Sequence, residues 1–432
     1  MLTARLRRRT AAPASALPWY GLTIFTFFFI TQRLPSLFTE FGIYLALLGL
    51  AVRPQGVTFP SPLRWAVAFQ LWALVTAVFA IDPDLAWPVL IEQLKAFVIF
   101  FVVVNVLRTP QQLRFYVLLI LVAFVLYPAR GTLLNYVTGN TVFGRAIWNK
   151  IYNNPNDLGA ITLLMLGSAL AIAAVKTQDV RLRWAAAAVV PVTILIIMLT
   201  QSRGVFIGLL ISFGLPLLAR LRKRPSGTAP VLVVLAVIAV LVPATSWHRL
   251  GGITELSETI DQTHKSPSST PANTPLYLAV AQGSAHERLD ILKTGLRIFA
   301  SHPVVGVGIG GYREANVRYT PRLGARDAHN TYVSLAAETG LPGLLLWLGL
   351  VGSVLAQVRR RRAQLAADDR TIQVLWIEKG LIGFLVAGLF ATYSHVSMFY
   401  LFLGILWAAS NVMGRDVAEP GAAPSGRTPR AR

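Results

Sequence analysis

The sequence predicts an all-α membrane protein of about twelve transmembrane helices, with one large loop on the non-cytoplasmic side. Of the 432 residues, 54% are hydrophobic and only 14% charged. The mean hydropathy is +0.57, and apolar runs of spanning length recur along the chain. A soluble domain carries roughly 25% charged residues, so a water-facing surface is missing and a lipid-facing one takes its place.

In chain order, apolar runs with charged flanks begin near Pro18, Leu37, Arg64, Ala86, Gln112, Asp157, Arg183, Gly204, Ala229, Leu341, Thr371 and Val396. Arg5, Arg7, Arg8 and Arg9 precede the first run. The signal-peptidase-like triplet Ala14-Ser15-Ala16 lies before that run rather than after it, so the span reads as uncleaved. Alternating from a cytoplasmic start puts most basic residues of the short loops inside. These are Arg5 to Arg9, Arg53 and Arg64, Arg108 and Arg114, Lys176, Arg181 and Arg183, Arg220 to Arg224, Arg359 to Arg370, and the tail. That is the positive-inside pattern with both termini cytoplasmic. It also accounts for the net charge of +21 without nucleic acid, whose binders gather their cations in one patch. The absence of cysteine excludes disulfides and thiolate chemistry.

Two outside segments exceed a turn: Ala129 to Asn156, and Trp247 to Gly340. In the second, His264 to Ser284 is rich in Ser, Pro and Thr and reads as an irregular flap. From Ala285 to Ala300, Leu289, Leu292, Leu296 and Phe299 recur at helical spacing until His302-Pro303 stops the pattern. Such a helix suits the membrane surface. A second short helix is expected from Asn330 to Thr339, with Gly340 as its stop and Pro342 opening the next span. The chain thus divides into 1–246 (spans one to nine), 247–340 (an outer loop domain carrying the candidate site), 341–413 (the last three spans) and 414–432 (a disordered cytoplasmic tail). No internal repeat of the transporter kind is visible.

All six histidines (His248, His264, His286, His302, His329, His395) map outside, which puts the candidate site on that face. Arg203 sits in a tight turn between two spans, where a charge is functional by default. Arg288 opens the amphipathic helix, and Arg313, Arg318, Arg322 and Arg326 lead into Asp327-Ala328-His329-Asn330. Guanidinium forks suit the phosphate oxygens of a phosphorylated lipid. The alternative is that these cations simply meet anionic headgroups. His329 precedes a helix whose partial positive charge disfavours imidazolium, leaving a neutral ring able to act as general base. The alternative is a hydrogen-bonded helix-start residue.

Other motifs have plainer uses. The GxGxxG spacing from Gly306 to Gly311 lacks a strand–helix context and reads as a tight bend. Asp82-Pro83-Asp84 imitates a metal-binding DxD but reads as a turn. Glu92 and Lys95 share a helix face and pair, Glu378 lies beside Lys379 within a span, and Glu338 reads as a structural hydrogen-bonding group. No His/Cys/Asp/Glu group has metal-ligand spacing, so no metal or cofactor is expected.

The stretches His302-Pro303-Val304-Val305-Gly306-Val307-Gly308, His329-Asn330-Thr331-Tyr332 and Glu338-Thr339-Gly340-Leu341-Pro342-Gly343 resemble the signature of the O-antigen ligase/polymerase superfamily. Arg203 in Ser-Arg-Gly, Arg288 ahead of the His-Pro turn, the Asn153-Asn154-Pro155-Asn156 run and Asp82-Pro83 also match family positions. The resemblance implies a GT-C-type membrane glycosyltransferase, in its ligase branch an O-antigen ligase. Its donor would be a glycan on undecaprenyl diphosphate, and its acceptor lipid A–core on the periplasmic face of a bacterial inner membrane. In that scheme His329 takes the acceptor proton, and Arg203 and Arg288 stabilise the leaving diphosphate without a metal, with inversion expected. Arg313, Arg318, Arg322, Arg326 and Asn330 would line the substrate. The rivals are an O-antigen polymerase, a protein O-oligosaccharyltransferase and, from another class, a lipid-linked glycan transporter.

Overall fold

The computed structural model describes residues 16–33, 35–52, 54–176, 179–223, 276–364 and 369–415. Arg5 to Arg9, His248, His264, the expected span near Ala229 and the tail beyond residue 415 lie outside the described residues, as does the side chain of His286.

Among the described residues the regular elements are all helical. They are α1 (Leu17–Thr31), α2 (Ser36–Val52), α3 (Ser61–Val78), α4 (Pro83–Val106), α5 (Pro110–Val137), α6 (Pro155–Ala173), α7 (Val180–Leu199), α8 (Arg203–Arg222), α9 (Leu276–Ser301), α10 (Tyr312–Tyr319), α11 (Thr331–Gln364), α12 (Asp369–Ala387) and α13 (Ser397–Arg415). A helix stands at every expected span start that falls within the described residues. Six of them, α4 to α8 and α11, are long and apolar enough to cross a membrane, and α1, α2 and Ser397–Val412 are shorter apolar helices. Arg64 and Gln70 dilute the apolar character of α3, as Glu378 and Lys379 do that of α12. The architecture is that of an all-α, multi-pass membrane protein.

The core runs along α6 and α13. Leu158 to Ala169 is buried on every side, as is Met398 to Ala409, which is what helices apolar all round require. Close packing relies on small residues. A Cβ on Gly167 of α6 would meet the Trp376 carbonyl oxygen of α12 at 2.6 Å, so only glycine lets the backbones approach this far.

Two boundaries differ from expectation. The loop expected from Ala129 is helical to Val137, because a widened turn over Val125–Ala129 absorbs Pro128 and its missing N–H. The expected flap from His264 to Ser284 falls partly within α9, which begins at Leu276 just after Pro275, where the apolar run Leu276 to Ala281 favours a helix. Residues 264–275 are outside the described set.

The outer elements pack as one unit over the start of α11. Gly340 (φ 67°, ψ −174°) breaks α11 as expected, and a side chain there would collide with the Val304 carbonyl. Across this break the Leu341 N–H donates to Pro303 O at 2.8 Å, and the Trp72 indole donates to Thr339 O at 2.7 Å. The glycine-rich turn hangs on the same helix end. Val307 N–H donates to Ala337 O at 2.9 Å and Gly308 N–H to Glu338 O at 3.0 Å, while the Glu338 carboxylate accepts from the N–H groups of Gly310 and Tyr312. It is a bend that fastens helix ends, and Glu338 is its anchor. Asp82 caps α4, accepting from Asp84 and Leu85 N–H at 3.0 and 3.4 Å. Lys95 pairs with Glu92 at 2.7 Å. Glu378 pairs with Arg359 at 3.3 Å and with Arg362, rather than with Lys379.

Candidate functional site

His329 lies in the link between the Arg313-to-Arg326 segment and α11, half-buried, with φ +47°. A left-handed backbone at a non-glycine residue is uncommon and tends to mark functional positions. The next residue fixes its place. Asn330 Oδ1 accepts from Tyr332 and Val333 N–H, both at 3.0 Å, while Asn330 Nδ2 donates to Leu389 O at 3.1 Å. Asn330 is therefore the N-cap of α11 and is also tied to the loop between α12 and α13. Burial and, after it, the Arg288 guanidinium push the His329 imidazole below its usual pKa of 6.5, against the pull of Asp327 and Glu287. The shift favours the neutral ring, and its causes are burial and a neighbouring cation rather than the helix start.

Arg288 is half-buried on α9, and burial lowers its pKa without making a guanidinium a neutral group. Tyr393 faces it electrostatically from the 388–396 loop. The Tyr393 hydroxyl donates to Asn156 O at 2.9 Å, and Asn156 Oδ1 accepts from Arg145 Nη2 and from Ser202 Oγ, both at 2.8 Å. Arg145 Nε also donates to Thr200 O at 2.8 Å. The turn before Arg203 is thereby held, and Arg203 opens α8 half-buried. Its neighbour Gly204 packs directly on the Phe390 side chain of the same 388–396 loop. One loop thus gathers Arg288, the His329–Asn330 corner, Arg145 and the start of α8 around one centre.

The four other arginines are differently used. Arg313 makes a bidentate pair with Asp327 at 2.6 and 2.7 Å. Arg318 pairs with Glu314 at 3.2 Å, Arg322 with Asp290 at 2.9 Å, and Arg326 with Glu287 at 2.9 Å. Each expected phosphate ligand of this group already holds a carboxylate. Two of the pairs, to Glu287 and Asp290, bind the 321–327 segment to α9 on either side of Arg288. Among the described residues no three His, Asp or Glu side chains converge as metal ligands.

Sequence reasoning missed Arg145, Tyr393 and the organising loop. Their one signal is the polar string Thr392-Tyr393-Ser394-His395 interrupting an apolar region. His302 stands apart from this centre, its Nδ1 3.4 Å from the Tyr319 hydroxyl.

Residues 187–348 match the family described as Wzy_C, O-antigen ligase. The matched segment contains Arg203, Arg288, His329 and the Gly340 break, and it supports the O-antigen ligase superfamily. It supports a ligase- or polymerase-type role in O-antigen assembly and, with the apolar helices, a multi-pass inner-membrane protein. No curated protein matches the chain.

Proposed function

We propose that the chain is a GT-C-type O-antigen ligase with about twelve spans and cytoplasmic termini. It moves a glycan from undecaprenyl diphosphate to a hydroxyl of lipid A–core on the periplasmic face. The observation that carries the reading is that a half-buried Arg288 lies within electrostatic reach of His329, and with burial pushes that imidazole below its usual pKa, toward the neutral form. Acid–base chemistry needs the first, and a leaving diphosphate needs the second.

In the reaction the acceptor oxygen bonds the anomeric carbon as the bond from that carbon to the diphosphate oxygen breaks. The acceptor's proton passes to His329. The electron pair of the broken bond stays on the diphosphate, whose added negative charge Arg288, Arg203 and Arg145 stabilise. A fixed guanidinium fork gains strength as that charge grows, so it favours the transition state over the bound donor. Asn156 acts on this chemistry indirectly, by orienting Arg145 and the turn before Arg203. Single displacement inverts the anomeric centre.

Purified full-length chain given lipid-linked glycan and lipid A–core should form glycosylated lipid A–core and free undecaprenyl diphosphate. A product that is only a longer lipid-linked glycan, formed without lipid A–core, would make it a polymerase.

A further inference from the structure

The outer face of α9 carries two cations, Lys293 and Arg297, that make no ion pair among the described residues. Leu289, Lys293, Leu296, Arg297 and Ala300 are all exposed, while Ile291, Thr294, Gly295 and Ile298 are buried against the rest of the protein. At 3.6 residues per turn the exposed five fall within about 100° of arc, the two leucines toward one side and Lys293 and Arg297 toward the other. Leu289 is 38% and Leu296 52% exposed. Among the described residues Lys293 and Arg297 make no ion pair, whereas Arg313, Arg318, Arg322 and Arg326 each hold a carboxylate.

The height of this face is set by its far end. Pro303 accepts from Leu341 N–H at 2.8 Å, so the end of α9 is fastened to the first residue of the α11 span. There Leu341 and Leu345, one turn apart, are 47% and 54% exposed, and Val304 is 58% exposed. Exposed apolar residues on α9, the Pro303 turn and the head of a span therefore lie together where that span would enter a bilayer.

We infer that the exposed face of α9 docks on an anionic lipid surface, Leu289 and Leu296 entering the acyl boundary while Lys293 and Arg297 meet headgroup phosphates. The charge complementarity is specific to an anionic surface, since a zwitterionic one offers two unpaired cations no net attraction. Arg288 lies near the middle of this same helix, about 13 Å along its axis from Arg297 at 1.5 Å per residue. Docking therefore holds the cation of the proposed leaving-group site at a fixed height over the bilayer. The inference concerns the helix face alone and stands without the transfer reaction.

The chain has no cysteine, so single reporters are clean. Full-length protein carrying Leu296→Cys with a fluorophore is reconstituted in phosphatidylcholine bilayers with or without phosphatidylglycerol. Leu289→Cys serves as a second reporter on the same face, and Arg322→Cys as one off it. The face reporters should be quenched by nitroxide-labelled lipid, shielded from aqueous acrylamide, and more strongly so with phosphatidylglycerol. Lys293→Gln/Arg297→Gln should abolish that lipid dependence, lowering the docked population about tenfold in the anionic bilayer. The Arg322→Cys reporter should stay open to acrylamide. Three results overturn the inference: face reporters open to acrylamide in both bilayers, quenching indifferent to phosphatidylglycerol and to the double substitution, or reporters shielded from both quenchers, meaning that protein covers the face.

Discussion

The Tyr393 hydroxyl donates a 2.9 Å hydrogen bond to the carbonyl oxygen of Asn156, joining residues 237 positions apart. Through it the loop before the last helix is locked to the head of α6, where Asn156 holds Arg145 and Ser202. Tyr393 also lies within electrostatic reach of Arg288, so this bond ties the loop beside the α9 cation to the α6–α8 end.

Tyr393→Phe keeps the ring and removes only that bond. The Asn156 carbonyl is left without this donor, at a cost of about 1 kcal/mol in stability. Turnover should fall roughly tenfold because the guanidinium groups lose their mutual register. Thermal melting and steady-state transfer on the purified variant check both, and unchanged transfer would reduce Tyr393 to packing.

Arg326 keeps Glu287 occupied, and Glu287 is the residue before Arg288. Arg326→Ala should free the Glu287 carboxylate to compete with the donor diphosphate for Arg288, raising KM for donor several-fold with a smaller change in kcat. Glu287→Ala added to it should restore KM, because the competitor has gone. The pair is over half exposed on the arginine side, so its own contribution to stability is small. A double variant no better than the single would mean that Arg326 acts by another route.

The pH profile follows from the His329 environment. A base must be neutral, so activity should rise with pH through a transition below the usual value of 6.5 and then level off. Arg288→Gln removes a cation that disfavours imidazolium, moving the transition up. Asp327→Asn removes an anion that favours it, moving the transition down. NMR titration of labelled His329 reads both shifts even where turnover is low. Shifts of the opposite sign would separate His329 from these neighbours.

Excess chelator should leave transfer unchanged, since Asp82 caps α4 and guanidinium groups supply the positive charge. Activity lost to EDTA and restored by Mg²⁺ would instead require a metal-assisted route.

Local signals carried much of this architecture. The stop at Gly340 was legible because a left-handed backbone favours glycine and Pro342 suits a first turn, both properties of adjacent residues. Arg203, Arg288 and His329 stood out by motif. What sequence spacing hid is long-range: the Arg326–Glu287 and Arg322–Asp290 pairs join segments more than thirty positions apart, so arginines that read as free for phosphate are already matched. Tyr393 and Asn156 show the same limit, since nothing near either residue names its partner. The outside segment expected from Ala129 failed in the other direction, because a widened turn around Pro128 carries the helix on to Val137.

The central claim is that His329 takes the acceptor's proton beside cations that hold the diphosphate. His329→Asn tests it most directly, because asparagine tolerates the +47° backbone angle at this position yet cannot serve as a base. Single-turnover transfer should slow roughly 10²–10⁴-fold. Donor affinity and melting temperature should stay near those of the unsubstituted protein. A folded, donor-binding His329→Asn protein that transfers glycan at a near-normal rate would contradict the account.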